Sequence, residues 1–132
     1  MKIIQISDLH INEDTDIYFA KKVISSMYNS IYKKLNRSEQ LVVVVCGDIG
    51  NKGNANYYNV SSDIINEFKK KFINYNISFE FCPGNHDICT SSIGKKGFEG
   101  FNSFTNSVFE GYEEYTSECS IITKIYDELD FI

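Results

Sequence analysis

The sequence predicts an α/β protein built on a parallel sheet, and three observations carry the prediction. Three short apolar runs, residues 2–6, 41–46 and 77–82, alternate with two segments whose apolar residues recur every three or four positions. Strand, helix, strand, helix, strand, with one βα unit between successive strands, is the pattern of a parallel sheet. Each run also stops in polar, turn-forming sequence: Asp8-Leu9-His10, Gly47-Asp48 and Pro83-Gly84-Asn85-His86-Asp87. Right-handed crossovers place all three strand C-termini on one edge of the sheet. In open α/β sheets that edge binds ligands.

Taken in order, Lys2-Ile3-Ile4-Gln5-Ile6 is β-branched and strand-like, and it ends at Ser7-Asp8. From Ile17 to Leu35, residues Ile17, Ala20, Ile24, Met27, Ile31 and Leu35 define a helical face. Lys21, Lys22, Lys33 and Lys34 form its solvated side, and Asn36-Arg37-Ser38 closes it. Leu41 to Cys46 contains four consecutive valines, as expected of a strand buried on both faces. A second helix is expected from Tyr57 to Tyr75, with Ile64, Ile65, Phe68 and Phe72 on one face. Lys69-Lys70-Lys71 near its end suits the helix dipole. Ile77 to Cys82 is the third strand, halted by the chain's one proline and Gly84.

Beyond Ser91 the pattern weakens. Gly94, Gly97 and Gly100 with Phe98, Phe101, Phe104 and Phe109 predict a loop leading into a short, aromatic-faced helix. Such spacing suits a packed face better than a base-stacking platform. A further helix is expected near 120–129, and Asp130-Phe131-Ile132 resembles the first residues of another buried strand.

Composition narrows the function. At 132 residues, with 42% apolar and 23% charged side chains, the chain suits one soluble domain. A net charge of −5 and a single arginine, Arg37, argue against a nucleic-acid or anionic-membrane binder, although a bound metal would override that locally. The N-terminus lacks the features of a secretory signal, and no apolar run is long enough to span a membrane, so a cytoplasmic location is expected. Cys46, Cys82, Cys89 and Cys119 form no CxxC pair. Cys46 and Cys82 end strands, where they are expected as small buried hydrophobes.

The three polar clusters carry the chemistry. Asp8 and His10 are two residues apart and would project to the same side of an extended backbone. A carboxylate and an imidazole so placed suit a divalent Mn, Fe or Zn ion. Asp48, from the adjacent unit, offers two oxygens that could bridge a second ion, and Asn85 offers a neutral amide oxygen. His86 is then placed to meet a phosphate or protonate a leaving group. A plainer alternative is that Asp8 and Asp48 cap the segments that follow.

Ser7-Asp8-Leu9-His10, Gly47-Asp48-Ile49-Gly50-Asn51 and Gly84-Asn85-His86-Asp87 resemble the first three motifs of the calcineurin-like metallophosphoesterases. The resemblance covers residues 1 to about 90 and implies the N-terminal half of that family's α/β sandwich. It implies a phosphoesterase in which Asp8 and His10 bind one divalent metal, Asp48 bridges two and Asn85 binds the second. His86 would act at the leaving group, and a metal-activated water would attack phosphorus in line. The substrate would be a phosphodiester or a phosphomonoester. Two departures stand out. Asn51-Lys52-Gly53 replaces the Asp-Arg-Gly of the protein-phosphatase branch, and no histidine follows His86, where the family has a further His and a Gly-His-x-His motif. The second departure leaves the second metal with Asp48 and Asn85 alone. It implies the N-terminal part of a longer domain, with a non-catalytic, weakly metal-binding or interaction module as the alternative. A DNA-repair type of nuclease shares these motifs, but the acidic balance argues against it.

Overall fold

A computed structural model describes residues 1–50, 55–90, 96–109, 111, 112, 114–116, 130 and 131. Its main sheet is made of β1 (Lys2–Ser7), β2 (Gln40–Cys46), β3 (Asn76–Cys82) and β6 (Asp130–Phe131). They lie in the order β3-β2-β1-β6, and every pairing is parallel. Between them run α1 (Ile17–Ile31) and α2 (Ala55–Lys71). A two-residue antiparallel pair, β4 (Cys89–Thr90) with β5 (Lys96–Gly97), precedes α3 (Glu99–Val108).

The predicted α/β order is thus the observed one, and Asp130-Phe131 does form a strand. It pairs with the free side of β1, so β1 is interior to the sheet. The helix expected near 120–129 lies outside the described residues.

Register explains the core. Ile4, Val43 and Phe79 align across the sheet, as do Ile6, Val45 and Phe81, so these side chains share one face. That face packs against Ile64, Ile65 and Phe68 of α2, Phe72 just after it, and Phe101 and Phe104 of α3 in one hydrophobic cluster. The ring of Phe68 meets that of Phe79 edge-on at 5.8 Å, and Phe81 meets Phe104 likewise at 5.5 Å. Each such buried aromatic contributes about 1.5–3 kcal/mol relative to exposure. Val42 projects to the opposite face and is also buried, but Gln40, Val44 and Cys46 on that face are half-buried, so β2 is fully covered on one side and partly on the other. Phe101 and Phe104 are core residues, which removes them from any base-stacking role.

Both long helices end earlier than the periodicity suggests. α1 tightens into a 3₁₀ turn at Tyr32–Lys34, and Leu35 is already extended (φ −92°, ψ 137°). Asn36 Oδ1 then accepts from Ser38 N at 3.1 Å, an Asx turn that starts the approach to β2. Just past α2, Phe72 N still donates to the Phe68 carbonyl, and Tyr75 N closes a turn on Phe72. Lys69 does more than complement the dipole. Its Nζ donates to the Val108 carbonyl at 3.0 Å and sits 4.1 Å from the Phe109 ring centroid, closing the open end of α3.

The outer edge of β3 is occupied locally. Phe81 N donates to Tyr112 Oη at 2.7 Å, and Tyr115 Oη donates to the Phe81 carbonyl at 3.0 Å. Asn102 fixes this segment to α3, its side chain exchanging two hydrogen bonds with the Tyr115 backbone at 2.8 and 3.0 Å. Burial pushes the Tyr112 hydroxyl well above the usual phenol range. Among the described residues, no helix is long and apolar enough to cross a membrane.

Candidate metal centre

The first three strands end in register. Ser7 pairs with Cys46, and Cys46 pairs with Cys82, so the turns that follow leave the sheet side by side. Backbone hydrogen bonds then knit the turns together. Gly47 N donates to Cys82 O at 2.7 Å, His10 N to Asp48 O at 2.8 Å and Ile11 N to Ile49 O at 2.9 Å.

The result brings together side chains from all three turns. His10 Nε2 lies 3.8 Å from Asp48 Oδ2 and 3.9 Å from Asp8 Oδ1. The imidazoles of His10 and His86 meet edge-to-face with centroids 5.1 Å apart. One ligand atom each from His10, Asp48 and His86 lies within 4.8 Å of the other two. Asp8 stands on the outer side of His10 and is 68% exposed. Asn85, also expected as a ligand, is exposed at the start of a 3₁₀ turn, Asn85–Asp87, immediately before His86. Asn51 lies outside the described residues. Two imidazoles and a carboxylate converging from separate turns form a donor set that fits a divalent transition metal.

The route to this geometry differs from the expected one. Asp8 and His10 do not extend from a strand with side chains on one side. Their backbones are left-handed, with φ of 57° and 46°, and so is that of Asp48 at 50°. Among the described residues these are the non-glycine positions with positive φ, and all three are candidate metal ligands. Left-handed backbone costs an L-residue about 1–2 kcal/mol, less for Asp, and such strain concentrates at functional sites. Asp8 does not cap α1. The N-cap of α1 is Asp16, which accepts from Tyr18 N and Phe19 N, and Asp48 lies well before Ala55.

Asp87 is the residue that sequence reasoning gave no role. It is 1% exposed, and its carboxylate accepts from Ile49 N (3.0 Å), Gly50 N (3.0 Å), Gly84 N (2.9 Å) and Tyr58 Oη (3.1 Å). A single buried anion therefore staples the turn after β2 to the turn after β3, and α2 to both. Asp48 Oδ1 adds a second link by accepting from His86 N at 2.9 Å. Nothing in the spacing announces this, because three of the four donors are backbone groups.

Gly84 is required for space. A Cβ there would collide with Asp48 Oδ1 and stand 2.5 Å from Asp48 N. Gly47 has φ +63°, and a Cβ on it would come within 3.1 Å of Gly84 Cα, so two glycines let the turns touch.

The cysteines nearby are not the expected pair of buried hydrophobes. Cys46 is half-buried and Cys82 is exposed; both are free. They point to the sheet face opposite the main core, and β3 is an outer strand. Burial, followed by the neighbouring Cys82, pushes the Cys46 thiol up, which disfavours it as a thiolate ligand.

A family model for calcineurin-like phosphoesterases matches residues 1–130. The chain belongs to the calcineurin-like phosphoesterase family. The match runs past the three motifs, through α3 and up to β6. Members of this family are metal-dependent phosphoesterases, which agrees with a His-Asp-His cluster at the sheet edge. No curated protein matches the chain.

Proposed function

We propose that the chain binds divalent metal at the edge formed by β1, β2 and β3 and uses it to hydrolyse a phosphodiester or phosphomonoester. The observation that carries this reading is the meeting of His10, Asp48 and His86, from three separate turns, within 4.8 Å. Asp8, His10 and Asp48 are the first proposed ligands, with Asn85 proposed as a neutral donor to a second ion. A divalent ion held there supplies a Lewis acid for a phosphoryl oxygen.

The chain's own groups do the positioning. The His86 amide holds Asp48 Oδ1, which turns Oδ2 toward His10. Asp87 fixes the two turns that carry Asp48 and His86, so the cluster is built before any ligand arrives. The site lies at an open edge. Two concavities of about 640 and 380 Å³ are lined by residues other than Asp8, His10, Asp48 and His86. Mn, Fe and Zn all suit the donors.

Hydrolysis of bis(p-nitrophenyl) phosphate and p-nitrophenyl phosphate with added Mn²⁺ or Zn²⁺ tests the proposal, with Asp48→Asn as control. Metal-dependent release of nitrophenolate that is lost in the variant supports it. The chain has two histidines, His10 and His86, fewer than the motifs of the family call for, and this favours a second reading as a metal-binding module without hydrolysis. Metal binding that Asp48→Asn abolishes, with no turnover of either ester, supports that second reading. Absence of metal binding overturns both.

A further inference from the structure

We infer that Cys46 and Cys82 form a reversible dithiol–disulfide pair, a modification site that exchanges with small-molecule disulfides. Neither cysteine is a proposed metal ligand.

Register brings the two together. Cys46 is the last residue of β2 and Cys82 the last of β3, and they are direct partners in the parallel pairing of these strands. Directly paired residues present their side chains on the same face of a sheet. Neighbouring strands lie about 4.7–4.9 Å apart, inside the roughly 4.4–6.8 Å between Cα atoms that a disulfide bridges. Both thiols are free, and Cys82 bears electrostatically on Cys46, as side chains in adjacent registers must.

Exposure assigns the roles. Cys82 is exposed on an outer strand, whereas Cys46 is half-buried on the strand behind it. Cys82 is therefore the attacking thiol and Cys46 the resolving one. The Cys82 sulfur attacks one sulfur of the small disulfide, whose S–S bond breaks and releases one small thiol. The Cys46 sulfur then attacks the Cys82 sulfur of the mixed disulfide, and the second small thiol leaves. Two protein thiols are oxidised and one small disulfide is reduced, and the two protons given up by the cysteines end on the released thiols. A bridge between side chains so close in a sheet is strained, and strained, accessible disulfides are the readily reduced ones. The pair accordingly cycles instead of locking the fold.

The test treats the folded 132-residue chain with oxidised glutathione, blocks remaining thiols with N-ethylmaleimide and maps the products by peptide mass spectrometry. Cleavage before Asp87 separates Cys82 from Cys89. The expected product links Cys46 to Cys82, carries no glutathione on either and reverts with reduced glutathione. Cys46→Ser should trap glutathione on Cys82, and Cys82→Ser should slow glutathione capture at Cys46 about tenfold or more. The preference for this pair should vanish when the chain is unfolded in urea. Glutathione persisting on Cys82 of the parent, pairing of either residue with Cys89 or Cys119 instead, or the same preference in urea would overturn the inference. So would a folded chain in which both thiols stay unreacted.

Discussion

Replacing Asp87 by Asn should loosen the whole edge of the sheet that carries the candidate site. The carboxylate is 1% exposed and satisfies three backbone N–H groups and one phenol. An amide retains one acceptor oxygen and replaces the other with an NH₂ group. If the retained oxygen keeps Ile49 N, Gly50 N and Tyr58 Oη, the NH₂ group then faces Gly84 N, donor against donor. One charge-assisted bond worth about 1.5–3 kcal/mol is lost, and a part-buried N–H is left without its acceptor, at about 1 kcal/mol more. The expected cost is about 2–4 kcal/mol, a large share of the roughly 5–15 kcal/mol that holds a domain folded. Urea denaturation should show the midpoint falling by about 1–2 M at unchanged slope. Tyr58→Phe, which removes one of the four donors and leaves three, should cost about 1 kcal/mol. Because Asp87 fixes the turns bearing Asp48 and His86, Zn²⁺ affinity of the Asn variant should also fall about tenfold. An Asn variant within about 0.5 kcal/mol of the parent, with the same Zn²⁺ affinity, would show that the buried staple does not organise the site.

Further predictions concern the turns and the sheet edge. Gly84→Ala should displace the Asp48 carboxylate and weaken Zn²⁺ at least tenfold, measured by calorimetric titration; an unchanged affinity would contradict the close contact. Asp8→Gly should raise the metal-free stability by about 0.5–1 kcal/mol by relieving a left-handed backbone (φ 57°) while lowering metal affinity, and a stability loss would argue against strain there. Tyr112→Phe leaves Phe81 N without its acceptor and should cost about 1–2 kcal/mol in urea unfolding. Tyr112 also sets an alkaline limit. Its folded pKa is raised by burial, so its contribution is fully present below the ordinary tyrosine value of about 10 and is lost as pH rises above it. The parent should therefore lose stability above about pH 10 more steeply than the Phe variant.

How much of this was legible depends on the range over which each feature is written. Strand and helix order was readable because periods of two and of 3.6 residues are local. The runs 41–46 and 77–82 announce β2 and β3, and Ile64, Ile65, Phe68 and Phe72 announce α2. The polar clusters at Asp8, Asp48 and His86 were visible for the same reason, and parallel topology alone implied that they would share an edge. Helix ends were less legible. Leu35 and Tyr75 continue the apolar spacing, yet the chain must already be turning toward the next strand.

What only the tertiary structure decided is how the site is held. The left-handed backbones of Asp8, His10 and Asp48 follow from the three turns bonding to one another, and no pattern of neighbours in the sequence dictates that. Gly84 is needed because Asp48 lies against it, a contact between residues 36 positions apart. Asp87 looks like the last residue of a turn until Ile49, Gly50 and Tyr58 are seen to donate to it. β6 beside β1, the exposure of Cys82 and the Tyr112 and Tyr115 contacts on β3 are likewise settled by neighbours far along the chain. Periodicity determines which segments become strands and helices; long-range hydrogen bonds and steric contact determine which side chains meet where they end.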